Sequence, residues 1–272
     1  MDAIREPAVA GTFYPARSRA LTEMLAMLLA NAAPAAGMAA AKTPKAIIVP
    51  HAGYIYSGAI AALAYARLAA ARSIIRRVVL LGPVHRVAVR GLALPGVAGF
   101  ATPLGDIMLD QDAIAVIRTL PQVIAYPAAH ALEHSLEVQL PFLQAVLNDF
   151  TLLPLAVGDA TSTEVAEVLE RVWGGPETLI VVSSDLSHFL PYAMARQVDQ
   201  ATVQQILELR PTLTHAQACG GTPVNSLLLA ALHHRLQARL LGQCNSGDTA
   251  GDKQRVVGYA AFDFVAETTD AQ

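Results

Sequence analysis

Short apolar runs alternate with stretches of helical periodicity along most of this chain. Residues 46–49, 77–81, 151–157, 179–183 and 256–265 are rich in Val, Ile and Leu and read as strands covered on both faces. Between and around them, residues 20–31, 57–70, 110–120, 135–147, 163–173, 195–209 and 222–240 read as helices. Leu136, Leu140, Leu143 and Leu147 share one face of the fourth, and Pro141 inside it predicts a kink or a boundary. Acidic residues open the helix at 110–120. Thr222 is the expected N-cap of the last helix, with Pro223 at its first position. Residues 32–43 form an Ala/Pro/Gly connector, the stretch from 82 to 103 is irregular with short strands, and 242–255 is a polar, Gly-rich mobile loop.

This alternation predicts the α/β class. We expect a single domain over residues 1–272, with a central, mostly parallel or mixed sheet and helices on both faces, an αβα sandwich. With 272 residues, 54% of them hydrophobic, a large core is available. A net charge of −3 lacks the basic footprint of a nucleic-acid binder, so no nucleic acid is expected as a partner. The uncharged stretch 24–41 contains Asn31, Pro34 and Gly37 and is a helix end plus loop rather than a membrane span. The opening residues carry no secretory pattern, and two cysteines make no disulfide framework, so a cytoplasmic location is expected.

Candidate chemistry gathers where the strands end. Pro50-His51-Ala52-Gly53-Tyr54 follows the first strand, Gly82-Pro83-Val84-His85 the second, and Ser183-Ser184-Asp185-Leu186-Ser187-His188 the fourth. In open α/β sheets ligands sit beyond the carboxyl ends of the strands, so these groups are expected to converge on one crevice. His51 and His85 are metal-ligand candidates, since neutral imidazole is a common ligand near pH 7. The alternative for either is a bond to loop backbone. Asp185 and His188, three apart, share a face if their turn is helical, and can orient a ligand, act as acid and base, or join a metal shell. Ser184 or Asp185 can instead cap a following short helix.

Cys219 precedes Gly220-Gly221-Thr222-Pro223, beside a helix N-terminus whose dipole favours a thiolate. It is a reactive or metal-bound thiol, or a small buried apolar group; Cys244 is incidental. Glu133-His134-Ser135-Leu136-Glu137 opens a helix, so Glu133 has a structural reading there, and His134 is a weaker site candidate. His130 and His215 are expected in loops or at the surface, and His233 and His234 late in a helix as dipole partners. Dinucleotide, Walker, His-Glu-x-x-His and Gly-x-Ser-x-Gly motifs are absent from the sequence.

Taken together, Ala10-Gly11-Thr12-Phe13-Tyr14-Pro15, the His51, His85, Glu133–Glu137 and Ser183–His188 motifs, Thr102-Pro103-Leu104-Gly105, Cys219-Gly220-Gly221 and Val257-Gly258-Tyr259-Ala260-Ala261 resemble the Memo family, also called AmmeMemoRadiSam system protein B. The resemblance implies a fold similar to class III extradiol dioxygenases, which use non-haem iron. It implies a redox metal, iron or copper, at His51, His85 and Cys219, with Asp185 and His188 lining the same pocket. A Cys/His set departs from the dioxygenase pattern of two histidines and a glutamate, and admits zinc as well.

The expected function is therefore a metal-dependent oxidoreductase acting on a small-molecule or peptide ligand. In it His188 serves as general acid/base, Asp185 orients His188, and His134 and Tyr54 support the ligands. A non-catalytic module binding a peptide, a partner protein or a metal on a degenerate dioxygenase fold, and a metal-assisted hydrolase, are the alternatives. The family name implies a functional link to an AMMECR1-like protein and a radical SAM enzyme through genomic grouping.

Overall fold

The apolar runs form strands, and successive residues in them feed opposite sides of one sheet. The computed structural model describes residues 3–32 and 42–267, so most of the connector expected at 32–43 lies outside the described residues. In chain order the elements begin with β1 (Ile4–Arg5), α1 (Ser18–Ala32), β2 (Ala46–Val49), α2 (Tyr54–Ala66), β3 (Arg77–Pro83) and β4 (Leu92–Leu94). Next come β5 (Gly99–Thr102), β6 (Gly105–Met108), α3 (Gln111–Ile117), β7 (Val123–Ala125), α4 (Ala128–Ala131), α5 (Leu140–Val146) and β8 (Thr151–Val157). The last are α6 (Ser162–Arg171), β9 (Thr178–Ser183), β10 (His188–Leu190), α7 (Tyr192–Leu207), α8 (Gly221–His233), β11 (Leu236–Asn245) and β12 (Val256–Ala266).

The main sheet runs β10-β12-β2-β9-β3-β8-β4-β7, with β11 also paired to β12. Its centre, β2-β9-β3-β8, is parallel, while β12 and β4 join antiparallel on either side. A small sheet β1-β5-β6 lies beside it. Ile47, Val49, Val78, Leu80 and Val181 pack with α1, α2 and α5 on one face. Ala46, Ile48, Val79, Leu81 and Val182 pack with α6, α7 and α8 on the other. Each Val, Ile or Leu among these removed from water contributes about 1.5–3 kcal/mol, which sets the register of the central strands. The expected mixed sheet with helices on both faces is what forms.

Several local expectations are corrected. The last helix does not run from 222 to 240. It spans Gly221–His233, with Gly220 rather than Thr222 as N-cap, and Arg235 takes a left-handed conformation (φ 51°) that turns the chain into β11. β11 also takes the first residues of the loop expected at 242–255 and pairs in register with β12 from Leu236↔Ala266 to Asn245↔Gly258, with one bulge. The helix expected at 135–147 is split: a 3-10 turn at Glu137–Gln139 leads into α5, where Pro141 sits in the first turn and needs no N–H partner. No helix follows Asp185: residues 184–187 form no regular element and lead straight into β10. Neither Ser184 nor Asp185 is a cap, and Asp185 and His188 share no helical face.

Candidate metal centre

β2, β3 and β9 end side by side, and their parallel order places His51, His85 and Ser183–Asp185 on one rim of the sheet. The loop between α4 and α5 brings His134 to the same point. The His51 and His85 rings lie 5.3 Å apart, His51 and His134 5.4 Å, and His85 and His134 4.7 Å. One ligand atom from each of the three imidazoles lies within 4.8 Å of the others.

The partners of these rings fix which nitrogen carries the proton. Ser183 Oγ donates its one hydrogen to the Ser135 carbonyl (2.6 Å) and accepts from Gln139 Nε2 (2.9 Å). Its bond to His51 Nδ1 (2.8 Å) must then have the imidazole as donor. Likewise, an ionised carboxylate only accepts, so His85 Nδ1 donates to Glu133 Oε1 (2.9 Å). Both assignments, made from the hydrogen-bond network, leave Nε2 as the ring nitrogen of His51 and His85 that can serve a metal. His134 Nδ1 is buried without a hydrogen bond, 3.3 Å from Glu133 Oε1, and the Phe13 ring closes over its imidazole at 4.8 Å. Burial holds His51 well below the ordinary imidazole range and His134 at about 4, so both are neutral at pH 7.

Cys219 Sγ lies 3.3 Å from His51 Nε2, just before α8. It reaches this place because Gly220 packs directly on β9: a Cβ there would come within 2.7 Å of Ser184 Cβ and 2.9 Å of the Ser183 carbonyl. The expectation of a dipole-lowered thiol is overturned. Burial, with the Asp185 charge added, pushes the thiol up to about 12. Asp185 makes no hydrogen bond to His188. Its Oδ1 accepts from the His51 backbone N–H (2.7 Å) and its Oδ2 lies 4.0 Å from His51 Nε2. Burial raises this carboxyl to about 7. His188 is oriented by the Leu186 carbonyl, which accepts from its Nδ1 at 2.9 Å. His188 lines an open cleft of about 430 Å³ together with His85, Cys219, Leu190, Val198 and His215. Tyr54 stands further back, its hydroxyl donated to the Val138 carbonyl.

Sequence reasoning missed the supports. Glu133 is not a first-turn helix residue but the hub of the loop, taking hydrogen bonds from the His85 backbone and ring and from the His134 and Ser135 backbone. Burial works against its charge, yet these bonds, led by the His85 side chain, hold it down at about 2. Glu137 is fully buried and receives Arg5, Tyr14 and the Ala8 and Val9 amides, which straps the N-terminal segment beneath the site. His130 is buried rather than at the surface, bonded through Nε2 to the Ala93 carbonyl (2.8 Å). Spacing gave no signal for Glu133 or Ser183 as ring partners; the signal available was carboxylate and hydroxyl groups inside otherwise apolar surroundings.

The donor set fits a metal ion. Two imidazoles have Nδ1 tied to an oxygen, as metal-ligating histidines characteristically do, which leaves Nε2 as the donor nitrogen, in His51 beside the Cys219 thiol. A third buried imidazole nitrogen lacks a partner, and a thiol adjoins. Among the described residues, no helix is long and apolar enough to cross a membrane.

The family model described as Memo-like protein matches residues 5–263. A MEMO1 family protein of Aquifex aeolicus is 36% identical, covering 96% of this chain and 99% of its own length. Another, of Ignicoccus hospitalis, is 34% identical over 96% and 98%. The crystal structure of an uncharacterized protein from Escherichia coli K12 superposes with a TM-score of 0.50 at 13% identity, covering 81% of this chain and 99% of that one, a likeness of fold alone.

Proposed function

We propose, from the premise that this chain belongs to the Memo-like family, that it holds a redox metal, iron or copper, in the crevice and works as an oxidoreductase. His51, His85 and His134 supply imidazole donors, and Cys219 adjoins them. The observation that carries this reading is the pair of Nδ1-anchored rings, His51 on Ser183 and His85 on Glu133, with the third imidazole beside them. Bound there, iron or copper would supply Lewis acidity and one-electron exchange.

The chain's own residues do the rest. Ser183 and Glu133 hold the two rings at fixed angles, so little ordering entropy remains to be lost on binding. Phe13 packs on the His134 ring and keeps water from that side of it. His188, with Nδ1 given to a carbonyl, presents Nε2 to the cleft and can take a proton from a small-molecule or peptide ligand lying there.

The test is oxygen uptake with reductant after loading with iron or copper. Metal-dependent uptake is expected, falling by about 10²–10⁴-fold in His188→Ala if that ring is the acid/base. Uptake that is absent with both metals would contradict the oxidoreductase reading. A metal-assisted hydrolase is the second reading, favoured by the third imidazole, because three histidines with an open position are a hydrolytic zinc set. Zinc-dependent ester or amide hydrolysis without oxygen uptake would select it.

A further inference from the structure

The first turn of α8 abuts the crevice, and its last turn lies at the other end of the sheet. Thirteen helical residues separate the two ends, roughly 20 Å at about 1.5 Å per residue. At that far end His234 Nε2 lies 2.9 and 3.2 Å from the two Glu170 carboxylate oxygens. The His234 ring stacks flat on Trp173, centroids 4.0 Å apart and planes 5° from parallel. The His233 ring follows at 4.8 Å. One ligand atom from each of Glu170, His233 and His234 lies within 4.8 Å of the others.

We propose that Glu170, His233 and His234 form a second metal site, separate from the crevice, for a borderline divalent cation of the Zn²⁺/Cu²⁺ class. The donor chemistry selects that class: imidazole suits zinc and copper, while an all-oxygen shell would be needed for magnesium or calcium. The carboxylate contributes negative charge, and the C-terminal end of α8 adds the partial negative charge of its unpaired carbonyls. Trp173 and Glu170 hold His234 in place; since a carboxylate only accepts, His234 Nε2 carries the shared proton, and a metal taking both groups displaces it and orders His233. Three protein ligands leave positions open to water or to a second ligand. Lys45 does not compete for the carboxylate, since its ammonium is taken up by the carbonyls of Trp173, Gly174, Gly175 and Thr178. A plain surface pair of Glu170 with His234 would account for their contact without any role for His233, and the test separates the two.

Trp173 is the chain's only tryptophan, so its fluorescence reports this site directly. Cu²⁺ titrated into the full-length protein should quench that emission saturably, and in the His51→Ala/His85→Ala double variant, which removes the crevice as a competing copper site, saturation should come at about one equivalent. The quenching should thus survive loss of the crevice ligands, and Zn²⁺ in large excess should reverse it, since Cu²⁺ binds such donors more tightly. In His233→Ala and in Glu170→Gln, half-quenching should need more than about tenfold higher Cu²⁺, because even loss of an outer partner costs about 10–100-fold in metal affinity. Both residues are exposed and neither stacks on the indole, so folding and baseline emission should be unchanged. No saturable quenching in the wild type would overturn the proposal. So would wild-type-like quenching in His233→Ala, or loss of quenching in the crevice variant.

Discussion

At the scale of single residues, the site depends on groups that touch the imidazoles from behind. Glu133 fixes His85 through one oxygen and the His85 backbone through the other. Glu133→Gln is expected to lower metal affinity about 10–100-fold in chelator competition, and unchanged affinity would show that His85 is held by other contacts. His130 tests burial in a different way. Desolvation pushes its imidazole down from 6.5 to about 4, so the unfolded chain binds its proton first. Its contribution is present above pH 6.5 and is lost as pH falls through about 4, of order 3 kcal/mol by linkage. His51 and His134, also depressed, act in the same direction. His130→Gln should therefore shrink the loss of unfolding free energy between pH 7 and pH 4, measured by urea denaturation at each pH. An unaltered pH dependence would mean that His130 is not desolvated in the folded state. His51, His85 and His188 were legible in the sequence because each closes or follows a strand. Glu133, Ser183 and the burial of His130 were not, since each depends on a residue distant in sequence that only folding brings into contact.

At the scale of elements, the join between α8 and β9 decides where Cys219 sits. Gly220 lets the two approach so closely that an added methyl would meet Ser184 and the Ser183 backbone. Gly220→Ala should cost about 1–3 kcal/mol of stability by overpacking and should weaken metal binding as the first turn of α8 lifts away from His51. Destabilisation with full metal affinity would show that Cys219 is dispensable to the centre. Strands buried on both faces and the helix expected at 163–173, observed as α6, were readable because their signals are local, although the Thr161/Glu164 capping box that starts α6 was missed. The α8–β11 boundary was not. Leu236 to Leu240 are too short an apolar–polar alternation to stand out from the helix before them, and what makes them a strand is pairing with β12 some twenty or more residues away, together with the left-handed turn at Arg235. The interruption at Pro141 was visible, but its direction was not: the proline begins a helix instead of bending one.

For the molecule as a whole, topology explains why motifs far apart in sequence form one centre. Parallel β2, β9 and β3 are adjacent, so their carboxyl ends line up whatever the chain length between them. The mixed sheet and its two helical layers followed from the alternation of runs. The antiparallel β11–β12 addition at one edge did not, because long-range antiparallel pairing leaves no periodic mark outside the strands themselves. The central claim is that this rim holds a redox metal. Elemental analysis of protein purified without chelators or an affinity tag, wild type beside His85→Ala, tests it most directly. Iron or copper near one equivalent in the crevice, counted in the His233→Ala background and lost with His85→Ala, is the expected result. Iron and copper both absent from the folded wild type after anaerobic reconstitution would contradict it.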